Sequence, residues 1–310
     1  MKKLFFLIYF SFSATLIAQS NLEGPIAFMA ESFGTSARMI SIGQIKGFDY
    51  SSNAVFENPA TLPFAKTLSL SAFQTNILDD VIYQNGAIAI KTLFGSFGFG
   101  YLEAGMTDIP ITKEIITNDF RKFEKTGQTY PVKFKVSKIS YGLSLTSKLK
   151  TGVSFSLFEN RIENVVGKGS NVDLGIIYKN ENIALSAGIQ NILSNNLINY
   201  SNNSYENLPL NTNLGICLFL NNFKLYGQIK SDNRIDLFYS AGLMYSPPAI
   251  SFISFSTGLK QIPDLNDKKI NLNAGVILDF FGLNVSYSYE KTNHFEYDHN
   301  HYFSVENEIN

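Results

Sequence analysis

The chain has 310 residues, of which 45% are hydrophobic, 14% aromatic and only 16% charged, with a formal net charge of −1. That charged fraction lies below the roughly 25% of ordinary soluble domains, and a balance so near zero offers no basic face, so no nucleic-acid partner is expected. The single cysteine, Cys217, excludes an internal disulfide framework and a cysteine zinc site; it reads as a small packed residue.

Lys2 and Lys3 precede an apolar run, Leu4–Ile17, and Ala18 precedes Gln19. This is the pattern of a secretory leader over residues 1–18. The run is shorter than the ~20 residues a spanning helix needs, and no later stretch of that length is free of polar residues. An exported, aromatic, weakly charged chain without a helical anchor is either a secreted all-β protein or an outer-membrane barrel.

Residues 19–66 read as a compact plug. The stretch from Gly34 to Leu62 is rich in Gly, Ala, Ser and Asn and ends in Asn58-Pro59-Ala60. Glycine permits tight turns and Asn bonds to nearby backbone, which suits a plug better than a wall strand or a helix core. Short helical turns are expected around Pro25–Glu31 and Ser52–Phe56.

From Leu68 the pattern changes to period two. In Leu283–Glu290, Leu283, Val285, Tyr287 and Tyr289 share one face, and Asn284, Ser286, Ser288 and Glu290 share the other. Ile139–Lys148 and Ile270–Asp279 repeat it, with Ile277 the one apolar residue on its second face. Weaker versions occupy 68–75, 83–92, 95–104, 151–160, 171–179, 183–191, 211–220, 223–230, 235–246, 250–260 and 299–307. The total is about 14 strands of roughly 8–11 residues, the length of a tilted membrane strand. Connections alternate between long (105–132, 161–170, 192–210, 291–298) and tight (Leu149-Lys150, Asn180–Asn182, Asn221-Asn222, Pro247-Pro248, Phe280–Gly282). A β-sandwich also has amphipathic strands, but it has no reason to alternate its connections, and its outer face carries charge rather than Ser, Gly, Asn and Thr. The expected fold is all-β: a transmembrane antiparallel β-barrel of about 14 strands over residues 67–310, with an N-terminal plug.

Little in the chain points to reaction chemistry. Gly95–Gly100, GSFGFG, sits among alternating Phe residues with no helix after it, so it reads as strand glycines that admit a close neighbour rather than a nucleotide loop. His294, His299 and His301 cluster, and His299 and His301 share a strand face, but the residues around them make no structural zinc set. Asp79-Asp80 reads as a solvated turn. No nucleophile elbow or triad stands out, so no enzyme, cofactor or metal is expected. Arg38 is the most informative charge: a cation inside a plug needs a partner, and Asp49 and Asp173 are the candidates for tying plug to wall.

Gly34, Thr35-Ser36-Ala37-Arg38, Gly43, Asp49 and Asn58-Pro59-Ala60 resemble the N-terminal signature of the PorV/PorQ family of outer-membrane barrels, relatives of the FadL fatty-acid transporters. The family usually has two glycines after the arginine segment and an Asp pair; here stand Gly43-Gln44 and a single Asp49. Asn171–Tyr178, Leu185–Leu193, Leu208–Gly215 and His301–Val305 resemble later family strands, although the chain ends Asn307-Glu308-Ile309-Asn310 without the usual closing aromatic residue. The resemblance implies an outer-membrane location, contact with outer-membrane lipid, and a type IX secretion role with secretion-system proteins or secreted cargo as partners, docking on loops 105–132 and 192–210. The other function it implies is a FadL-like channel for a small hydrophobic ligand. A Phe- and Leu-lined pocket beneath the loops would favour the channel; a broad, flat loop crown would favour the secretion partner. A purely structural membrane role also stays open.

Overall fold

The computed structural model of the chain describes residues 34–77, 81–117, 120–193, 197–232, 235–263, 268–291 and 299–309. The leader, residues 19–33, Asp79, Asp80, His294 and the side chain of His299 lie outside the described residues.

The wall is β1 (Leu68–Ile77), β2 (Val81–Thr92), β3 (Gly95–Thr117), β4 (Phe120–Ser144), β5 (Leu149–Ile162), β6 (Val165–Lys179), β7 (Ile183–Gln190) and, after a small hairpin of β8 (Leu197–Tyr200) and β9 (Tyr205–Asn207), β10 (Asn211–Leu220), β11 (Phe223–Asp232), β12 (Ile235–Tyr245), β13 (Ile253–Pro263), β14 (Lys268–Phe280), β15 (Leu283–Lys291) and β16 (His299–Ile309). Fourteen of these strands form one closed antiparallel barrel, because β1 bonds to β2 on one side and to β16 on the other. Closure leaves no open sheet edge, which is what a wall surrounded by lipid requires.

The burial pattern is inverted relative to a soluble domain. Along β7, Ala184, Ser186 and Gln190 are buried while Leu185 and Ile189 are exposed. Along β10, Asn211, Asn213 and Cys217 are buried while Leu214, Ile216 and Leu218 are exposed. The outward row continues around the cylinder through Leu70, Ile90, Phe97, Ile139, Phe155, Leu174, Ile229, Leu259, Leu272 and Phe303. A continuous apolar exterior of this kind would aggregate in water and is stable against hydrocarbon. Ile277, the exception on its polar face, points inward and packs with Ile42 and Ile45.

One rim carries tight turns and the other carries the longer connections. The turn after β4 falls at Leu145–Lys148, four residues before the expected Leu149-Lys150, because Thr146 Oγ1 accepts from the backbone N–H of Lys148 (3.2 Å) and Leu149 (3.0 Å) and closes the turn there. Pro247-Pro248 cannot donate to a ladder, and β13 starts only at Ile253. Two expected long loops are mostly strand. Residues 105–132 continue β3 and β4 as a two-stranded hairpin beyond their pairing with β2 and β5, and 161–170 is the paired end of β5 and β6.

Residues 34–66 run inside the cylinder as a helix at Ala37–Ser41, a helix at Ala54–Glu57 and a 3-10 turn at Pro59–Phe64. The segment reaches every one of the fourteen wall strands. It bonds to β1 through Ser52 and to β2 through Gly34 and Thr35. It bonds to β7, β11, β13 and β16 through Asn58, Lys46, Ser41 and Ala37. Against β3, β4, β5, β6, β10, β12 and β14 it fills the space a side chain would take at wall glycines such as Gly100, Gly142, Gly175 and Gly242, and its first helix packs on β15.

Luminal anchor and candidate ligand pocket

The signature residues of the N-terminal segment make its turns and its contacts. Ser36 caps the first helix by accepting from the Met39 N–H at 3.1 Å, and the Ala37 N–H donates to Ser304 Oγ at 3.2 Å on β16. Gly43 ends that helix with φ +86°, and a side chain there would meet the carbonyl oxygens of Leu259 and Ala241, so both conformation and space demand glycine. Asn58 does two jobs. Its Oδ1 accepts from the Ala60 N–H at 3.0 Å and caps the 3-10 turn, while its Nδ2 donates to Ser186 Oγ (2.9 Å) and the Ala187 carbonyl (3.2 Å) on β7. Pro59 follows at the first position of the turn, where a missing N–H costs nothing. It packs against Gly142 and Gly152, and Ala60 packs against Gly175.

The charges are arranged differently from the expectation. Asp173 is on the inner face of β6, but its Oδ2 pairs with Lys138 Nζ of β4 at 2.6 Å and its Oδ1 accepts from the Asn191 N–H at 3.0 Å. Arg38 does not take it. Burial opposes the Arg38 charge, but the field of Asp49, followed by those of Glu306 and Glu308 on β16, outweighs that and raises its pKa. Among the described residues Arg38 makes no direct ion pair, and it is half-buried. The tie from segment to wall runs instead through Asn53, whose Nδ2 donates to Glu306 Oε1 at 2.8 Å. A second tie joins Gln44 Oε1 to Lys260 Nζ at 3.1 Å. Lys260 is held by Glu290 at 2.7 Å, and Glu290 also accepts from Asn271 and Tyr302 at 2.8 Å each.

Glu57 is a fully enclosed acid of the segment. It accepts from the Gly47 N–H at 3.2 Å and from Thr35 Oγ1 at 3.4 Å. Burial first, and repulsion from Asp49 next, hold its carboxyl well above the ordinary carboxylate range.

A cavity of ≈ 70 Å³ opens on the longer-loop side of this segment. Its apolar lining is Phe56 from the segment, Leu102, Phe134, Val136 and Phe158 from β3, β4 and β5, and Ile198, Leu208 and Pro209 from the β8–β9 region. Lys46, Lys138, Asn160 and Asn191 supply a few polar groups. The roof exists because the wall opens locally. The β6–β7 ladder stops at Leu174 and Ile189; Asn191 then takes φ +60° and turns the chain aside. Ile192 and Leu193 bond back to β6 at 3.0 Å each, and β8 rejoins β6 at Gly167 and Lys168. That path drives Ile198 and Leu208 inward. The lining is mostly apolar with a few polar groups, the character of a site that takes an apolar group.

No protein-family model matches the sequence, and no curated protein matches it. Solved structures do match. The toluene transporter TodX of Pseudomonas putida superposes with a TM-score of 0.61 at 13% identity, over 89% of this chain and 99% of its own. The toluene transporter TbuX of Ralstonia pickettii gives 0.60 at 12%, over 91% and 100%. A FadL homologue of Pseudomonas aeruginosa gives 0.54 at 9%, over 88% and 97%. The chain has the FadL-type barrel fold. At such identities the likeness carries the fold alone, and the narrower PorV/PorQ resemblance rests on the sequence motifs.

Within this FadL-type barrel, Gly34, Ala37, Arg38, Gly43, Asp49, Asn58, Pro59 and Ala60 are all in the luminal segment, and only Asp173 belongs to the wall. Gly98 and Gly100 of the GSFGFG stretch admit Val55 and Phe56 of the segment, the close approach expected of strand glycines. His301 is exposed, with Nδ1 2.8 Å from Tyr287 Oη. Among the described residues no group of His, Cys, Asp and Glu could hold a metal ion.

Proposed function

We propose that this protein is an outer-membrane channel for small hydrophobic molecules, with residues 19–66 as its plug. The single observation that carries the reading is the apolar cavity under the β8–β9 hairpin, lined by Phe and Leu from plug, wall and loop together. The names of the structural neighbours, a toluene transporter among them, agree with it. Short turns face the periplasm in barrels of this kind, which puts the cavity on the outer side. Phe56, Gly34 and Thr35 belong to the plug and also line the cavity, so passage toward the periplasm requires the plug to shift once the cavity is filled.

The test is uptake of labelled toluene by cells whose own hydrocarbon channels are deleted. Expression of this barrel should raise the initial rate several-fold, and a variant with Phe134→Lys, which places a charge in the cavity, should return it toward background. Equal uptake with and without folded barrel in the membrane would argue against the channel.

A type IX secretion role is the second reading. Its support is the resemblance of the N-terminal motifs to PorV/PorQ, and the projecting β3–β4 hairpin would be its docking surface. The apolar cavity favours the channel.

A further inference from the structure

The opposite end of the lumen carries a second constellation. Lys150 is the second residue of β5, Lys179 the last of β6 and Lys224 the second of β11, so all three stand at the tight-turn rim, and all three face inward. They surround aromatic rings. Lys179 Nζ is 4.0 Å from the centroid of the Tyr50 ring and 4.8 Å from that of Phe64, and Lys150 Nζ is 5.3 Å from the Phe64 centroid. Phe219 lies 5.7 Å from Lys179 Nζ and is the direct ladder partner of Lys224.

Among the described residues none of the three ammonium groups has a carboxylate within ion-pair distance. Lys150 donates only to the Thr146 carbonyl, at 3.2 Å. Contact with ring faces offsets part of the cost of gathering like charges but neutralises none of it. This contrasts with Lys138 and Lys260, inward lysines nearer the outer rim, each of which has its own carboxylate. A concave cationic mouth with low-dielectric aromatic walls concentrates anions.

We infer that this rim is an anion-binding vestibule, which takes the carboxylate or phosphate-ester head of an amphiphile between the three lysines and lays its apolar body on the aromatic rings. Passage of the same molecule from the cavity to this vestibule rests on the channel reading; binding at the lysines does not.

The test is calorimetric titration of the folded full chain in zwitterionic nanodiscs with octanoate, 1-octanol and inorganic phosphate. Octanoate should bind here, weakened by added salt, and the combined variant Lys150→Gln, Lys179→Gln, Lys224→Gln should lose this site or weaken it at least tenfold, with 1-octanol binding unchanged. The Phe134→Ala variant should keep the site, so failure of the outer cavity is read separately. Heat-shifted gel mobility checks that the variants are folded; if the combined variant does not fold, Lys224→Gln alone should weaken octanoate about threefold or more. Octanoate binding that is identical in wild type and lysine variants, or no octanoate binding at all, would overturn the assignment. Phosphate bound without octanoate would also overturn it, by making the site one for free inorganic anions.

Discussion

Asn53 Nδ2 donates to Glu306 Oε1 over 2.8 Å, joining the luminal segment to the last strand of the barrel. Both groups are enclosed, so the bond is out of reach of bulk water. Replacing Asn53 with Leu leaves Glu306 without this donor. The expected result is a loss of about 1–3 kcal/mol, read as a lower unfolding midpoint and faster proteolysis within residues 34–66.

Asn58 combines a cap with two wall bonds. Asn58→Ala should cost about 1–2 kcal/mol from the cap alone, with the wall bonds adding to it. Asn58→Asp keeps the cap but removes both donors to β7, so its effect should fall between those of wild type and Ala. Equal stability of the Asp variant and wild type would mean the wall bonds contribute nothing.

Gly175 is where the wall admits Asn58. A Gly175→Val substitution requires the luminal segment to move away from β6, because backbone and cap hold that asparagine from behind. Overpacking of this kind costs about 1–3 kcal/mol. The expected readout is increased hydrogen exchange at residues 54–62, while the wall strands β10–β15 stay protected.

The Lys138–Asp173 pair sets the point where the chain leaves the wall, since Asp173 also holds the Asn191 N–H. Lys138→Met strands a buried carboxylate, at a cost of about 3–5 kcal/mol. Adding Asp173→Asn removes that stranded charge and should recover most of the loss, measured as a double-mutant cycle on the unfolding midpoint. Additive losses would show that the pair is not coupled.

Glu57 gives the docking of the luminal segment a pH dependence of definite sign. Its folded pKa is raised by burial and by Asp49, whereas an unfolded glutamate titrates at about 4.3. The folded state therefore binds the proton more tightly, and its stability falls as pH rises above about 4.3 toward the raised value; below about 4.3 the penalty is absent. Protease protection of residues 34–66 should thus weaken with rising pH. Glu57→Gln should flatten that slope, even with Asp49, Lys46 and Glu306 still nearby. An unchanged slope in the variant would assign the dependence to those neighbours.

Much of the wall was legible in the sequence because a strand that separates lipid from lumen must alternate. Leu283–Glu290 and Ile270–Asp279 announce their inner and outer faces residue by residue. The β3–β4 hairpin was not legible: beyond Gly105 neither strand has a wall neighbour, the alternation of polar and apolar residues fades, and backbone pairing alone keeps them straight. The luminal segment was legible as composition, and Asn58 and Gly43 as turn formers. Partner choice was not, since it depends on which inward wall residue lies at the same depth. Glu306 could still have been found, because Tyr302, Ser304, Glu306 and Glu308 share one parity in β16 and place two acids inside. The apolar cavity left a weaker trace. Leu102, Phe134, Val136 and Phe158 lie on inner faces that elsewhere carry Ser, Gly and Asn, and Phe134 and Val136 fall between the 105–132 connection and the 139–148 strand.

The chain contains no tryptophan, which makes the cavity directly measurable. In a Phe134→Trp variant the lone indole reports on that cavity, and bromobenzene quenches indole emission on contact. Titration of the folded barrel should quench the emission saturably, and unlabelled toluene should restore it. A control with Leu157→Trp on the outer face should show only linear quenching from dissolved bromobenzene. Linear, non-competable quenching at both positions would contradict the claim that this barrel encloses a site for small hydrophobic molecules.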